Sequence, residues 1–215
     1  MTEAEPVWLS IPDGYAELPL DDIPEAVDAT GRLIAELGTA EQRQAADFVL
    51  SSLNVFLQTL ADRNAVYCGV GRHRSALDGR LITSSLVATV LDFPGERNPR
   101  IVLRDILLAK ARDQQTGQAD IIEMPAGPVA FFEHILSLPD PAIPGGHPLA
   151  EGVEVPVWQL EAFVPSPAGD RLVTIEASTP FADHGPQYRR MVAAMAAAVE
   201  FQPPADTDAL AALLG

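Results

Sequence analysis

Apolar residues recur at helical intervals up to Arg63 and at every second position from Ala65 onward. That change of period, from 3.6 to 2, separates a helical N-terminal part from a strand-rich remainder. In the helical part Ile23, Val27, Ile34 and Leu37 share one face, Asp22 and Glu25 have the spacing of a capping box, and Gly38 supplies a stop. Thr39 and Gln42 repeat the capping-box spacing, and Val49, Leu53, Phe56, Leu57 and Leu60 follow at helical intervals. Two helices joined at Gly38-Thr39 form an αα-hairpin whose apolar faces need a second layer to cover.

A sheet supplies that layer. Val66, Cys68 and Val70 alternate with Tyr67, Gly69 and Gly71, and the run Leu81 to Leu91 places Ile82, Leu86, Ala88 and Val90 on one side with Ser84 the polar interruption. These segments read as neighbouring antiparallel strands. Asn98-Pro99 opens a third helix as N-cap and first residue, with Val102, Leu103, Ile106, Leu107 and Lys110 as its inner stripe and Gly117 as its end. Ile121 to Met124, Val129 to Leu136, Val155 to Val164 and Leu172 to Ser178 add strands, the last two joined as an antiparallel hairpin by Pro165 to Asp170. Pro186 opens a final helix with Tyr188, Met191, Val192, Met195 and Val199 on one face.

Before the first helix, Val7 to Ile11 reads as a strand or extended arm stopped by Pro12-Asp13-Gly14. The proline-rich stretch from Ser137 to Pro148 is a long surface connection within the sheet, and Gln202-Pro203-Pro204 breaks the last helix, leaving residues 202–215 as a tail with room for a short helix. The expectation is one α+β domain over residues 1–201, an antiparallel sheet of about six strands covered by helices.

Charge restricts the partners. The chain carries thirty Asp and Glu against fourteen Lys and Arg, a formal charge of −16, which opposes nucleic acid and favours neutral, cationic or basic-surfaced partners. Residues 1–63 hold twelve of the carboxylates and only Arg32, Arg43 and Arg63 as cations, so a basic partner meets this half. Lys110 is the single lysine, which with abundant Ala and Pro points to codon bias from a GC-rich genome. One cysteine, no signal-peptide pattern at Met1 to Pro6 and no apolar run of membrane-crossing length give a cytoplasmic expectation.

The alternating run Val157 to Val164, the Pro-Gly loop, the strand Leu172 to Pro180 and the helix around Tyr188 to Val199 resemble the closing hairpin and helix of the PsbP-like fold superfamily, including its bacterial LpqN-type lipoproteins. The resemblance implies a binding or accessory role, since members of that fold serve as assembly factors and interaction modules more often than as enzymes.

No motif of catalysis stands out. The Gly-x-Ser-x-Gly of a serine hydrolase and the spacing of a phosphate loop are both missing. His73, His134, His147 and His184 lie tens of residues apart without metal spacing, so no metal or cofactor is expected. His134 reads as a hydrogen-bonded core or interface histidine, Asp183-His184 as a helix cap, and Cys68 as a buried thiol with a raised pKa. The one local basic cluster, Arg72, His73 and Arg74, follows a strand and is the candidate site for a carboxylate or phosphate. Three readings compete: a non-catalytic accessory protein that binds a protein partner through its acidic surface, a small-molecule binder or enzyme with an anion site near Arg72 to Arg74, and a self-assembling homo-oligomer.

Overall fold

The computed structural model describes residues 6–139 and 154–202. It is an α+β protein built on one seven-stranded sheet in which all neighbours are antiparallel. The strands are β1 (Tyr15–Glu17), β2 (Ala65–Arg74), β3 (Leu81–Asp92), β4 (Gln118–Met124), β5 (Gly127–Pro139), β6 (Glu154–Pro165) and β7 (Arg171–Thr179). Their spatial order is β1-β2-β3-β7-β6-β5-β4. The helices are α1 (Ile23–Leu37), α2 (Ala40–Asp62), α3 (Pro99–Arg112) and α4 (Arg189–Ala197), the last preceded by a 3₁₀ turn over Ala182–Tyr188.

Both faces of the sheet are covered, which is why central strands lack clean alternation. Trp158, Leu160, Ala162 and Val164 of β6, Val173, Ile175 and Ala177 of β7, and Ile82, Leu86 and Ala88 of β3 form one face with Tyr188, Val192 and Met195 packed on it. On the opposite face α3 sets Val102 and Leu103 against Ala130, Phe132, Phe163 and Leu172, while the α1–α2 hairpin sets Ile23 and Leu57 against Cys68 and Val87. The 3₁₀ turn lies so close to the sheet that a Cβ on Gly185 would stand 2.1 Å from Cγ of Trp158, so only glycine fits there.

Several sequence expectations change. The sheet has seven strands because Tyr15–Glu17, too short to show a period, pairs with β2, whereas Val7 to Ile11 makes only a single bridge, Trp8 to Glu200. Asp22 does not cap α1. Its φ of 47° turns the carboxyl away, and Pro24 at the second helical position has no N–H for it to accept. Thr39 and Gln42 do form the capping box of α2. α3 ends at Arg112, not at Gly117, which instead lies under the Phe132 ring, where a Cβ would be 2.6 Å away. Phe181 rather than Asp183 precedes the 3₁₀ turn, and His184 is buried with Nδ1 2.8 Å from Ser75 Oγ. The proline-rich connection beyond Pro139 and the tail beyond Gln202 lie outside the described residues.

Candidate functional site

Strand alternation divides the basic cluster. Arg72 and Arg74 lie on the face that carries Cys68, both exposed, while His73 lies on the other face between Tyr15 and Tyr188, with ring centroids 5.1 and 5.9 Å away. Burial lowers the His73 pKa, and its Nε2 is buried without a hydrogen-bond partner among the described residues. The two guanidinium groups and the imidazole therefore do not converge on one ligand.

A more concentrated polar group sits under α3, and the sequence reading missed it. Glu161 of β6 and Glu176 of β7 are direct cross-strand partners, an arrangement that sets like charges opposite each other. Lys110 reaches from α3 to pair with Glu161 and to donate to Gln115 Oε1 at 3.1 Å, and its Nζ lies 4.8 and 5.4 Å from the Phe132 and Phe163 ring centroids. His134 Nε2 and Gln159 Oε1 are 2.8 Å apart, and Gln159 in turn bonds the Glu176 carboxyl. Burial, reinforced by the Glu161 charge, pushes the Glu176 carboxyl above the usual range. Beside it, burial pushes the Cys68 thiol up to about 11.

This network binds α3 to the sheet, since every group in it already has a protein partner. The sequence carried only part of the signal for it. Glu161 alternates in register with Phe163, which is buried, and Lys110 lies on the stripe assigned to the inside of α3.

Beyond the network, no group of three His, Cys, Asp or Glu side chains suits a metal ion among the described residues. On the other face a cleft of about 320 Å³ opens between β4, β5, β6 and α4, lined by Gln118, Asp120, Ile122, Phe131, Glu133, Leu160, Arg189 and Ala193.

The largest departure from the sequence reading is on α2. Leu57 is fully buried and Leu53 and Leu60 pack beside it, but Val49 and Phe56, expected on the same face, are 41% and 46% exposed. At 100° per residue these two lie a quarter-turn from Leu57, adjoining Phe48 and Val55, which point away from the sheet and are also exposed. With Ala45, Ser52 and Thr59 they make a continuous strip at spacings of three and four that contains no charge. α2 thus has two apolar faces, one buried and one open. The hairpin that presents it, Ile23 to Asp62, carries six carboxylates and two arginines, with Asp28 and Asp47 on the seam between the two helices.

No helix among the described residues is long and apolar enough to cross a membrane. Neither a protein-family model nor a curated protein matches the chain.

Proposed function

We propose that the protein is a non-catalytic accessory module of the bacterial cytoplasm that holds a partner protein against the α1–α2 hairpin. The observation that carries this reading is the second apolar face of α2. A solvated helix face rarely keeps Phe48, Val49, Val55 and Phe56 together without charge, and such patches mark interaction surfaces. The 3-4 spacing suits a helix laid alongside it, with apolar residues in the seam.

Charge selects among occupants. A second copy would bring another chain of −16 and another acidic hairpin to the contact, whereas a helix with basic flanks gains from the net negative charge of the hairpin. The occupant is therefore an amphipathic helix of another protein, apolar along one face and basic at its edges. The PsbP-like resemblance of the closing hairpin and helix implies the same kind of role.

A fluorescently labelled basic amphipathic peptide of leucines and lysines at heptad spacing, and its glutamate counterpart, test this by anisotropy. The basic peptide should bind saturably and more weakly at high salt, the acidic one should not bind, and Phe48→Glu with Phe56→Glu should abolish binding. Equal binding of both peptides, or full binding by the double variant, would overturn the reading. So would a stable homodimer, in sedimentation, that the double variant disrupts.

A further inference from the structure

The cleft between β4, β5, β6 and α4 is remote from α2 on the opposite side of the sheet, and its lining is divided in chemistry. Ile122, Phe131, Leu160 and Ala193 supply an apolar floor and wall; Gln118, Asp120, Glu133 and Arg189 supply the polar end. Its volume of about 320 Å³ falls at the lower end of the range that holds small organic ligands.

The polar groups at that end are not equivalent. Arg189 is engaged in bidentate fashion, with Nε 2.6 Å from Glu133 Oε2 and Nη2 2.7 Å from Oε1. Trp158 Nε1 also donates to Glu133 Oε1 at 2.9 Å, and the Arg189 guanidinium holds the Glu133 carboxyl below the usual range. In this trio the arginine and glutamate charges cancel, so the wall offers an anion no net positive charge. Asp120 differs. Its Oδ2 accepts only the neutral Gln118 Nε2 at 3.2 Å, and no arginine or lysine pairs with it among the described residues.

We propose that this cleft is a binding site for a small amphipathic organic cation, an amine on an aliphatic or single-ring aromatic body. The ammonium sits on Asp120, with the Gln118 carbonyl as a second acceptor, and the body lies on Ile122, Phe131, Leu160 and Ala193. An anion meets both an unpaired carboxylate and a chain of strongly negative charge. β4 is an edge strand, but Asp120 and Glu123 within it are the kind of charges that discourage strand addition, and pairing along the edge would not fill the cleft.

The test uses the full chain and three isosteric probes, 2-phenylethylamine, 2-phenylethanol and phenylacetate, followed by amide and methyl chemical shifts. The amine is expected to give saturable shifts centred on Ile122, Phe131, Leu160 and Ala193, the alcohol to bind more weakly, and the acid not at all. Asp120→Asn, at an exposed position where circular dichroism should show the fold unchanged, should weaken the amine by about 10- to 100-fold, the range for a hydrogen bond to a charged group. Ala193→Leu should block both the amine and the alcohol by filling the wall. Equal binding of acid and amine, undiminished binding by Asp120→Asn, or no saturable shift with any probe would overturn the assignment. Shifts confined to the β4 amides on adding a basic peptide, with none for the amine, would assign the surface to strand pairing instead. None of these outcomes depends on the α2 surface.

Discussion

Replacing Lys110 by Met keeps the length of the stem and its contact with Phe132 and Phe163 but removes the only cation of the buried network. The Lys110 and Glu161 side chains are 14% and 12% exposed, so the pair is poorly screened by solvent. Without the ammonium, Glu161 loses its close ion-pair partner and faces Glu176 across the β6–β7 ladder, with only the more distant Arg63 charge acting on Glu176. Breaking a buried pair from one side typically costs about 3–5 kcal/mol. For a chain of this size that corresponds to a fall in melting temperature of roughly 6–20 °C. Urea and thermal denaturation followed by circular dichroism at neutral pH would measure it. Adding Glu161→Gln to Lys110→Met should return most of the loss, because the uncompensated charge is then gone. A loss below about 1 kcal/mol for Lys110→Met, the size of an exposed ion pair, would refute the reasoning and place the pair in solvent.

Three further outcomes follow from named contacts. The folded-state pKa of Glu176 lies above its ordinary value of 4.5, so its contribution to stability is present below that value and is lost as pH rises through the raised one. Glu176→Gln should therefore gain stability relative to the parent progressively above pH 4.5 and then level off; a difference independent of pH, or one that shrinks, would contradict this. Cys68, with its thiol pushed up to about 11, should be inert to a thiol reagent at pH 8 in the native protein and react at once in denaturant, and fast native labelling would show the site to be open. Gly185→Ala places a Cβ about 2.1 Å from Trp158 Cγ, so it should destabilise by about 1–3 kcal/mol and alter the tryptophan fluorescence; an unchanged unfolding midpoint would mean that the 3₁₀ turn is free to retreat.

The sequence was most legible where periodicity and capping agreed. The Thr39-Gln42 capping box, the Asn98-Pro99 start of α3, the β2–β3 pairing and the β6–β7 hairpin all appear as the residues indicate. It was least legible where a residue's partner lies far away in the chain. Both Glu161 and Glu176 look like outward positions of alternating strands, and only the arrival of α3 turns one of them into the partner of Lys110. Phe56 and Val49 satisfy a helical period as well as Leu57 does, and nothing local says that the sheet takes only the side centred on Leu57. His73 between two arginines suggests one cluster until the pleat sends it to the opposite face.

The most direct test of the docking reading is to label the valine and leucine methyl groups and titrate the protein with the basic amphipathic peptide. The account predicts saturable shifts at Val49 and Val55, little change at buried Leu57, and loss of those shifts at high salt. Shifts that centre on the β4 cleft, or no saturable change at α2, would contradict it.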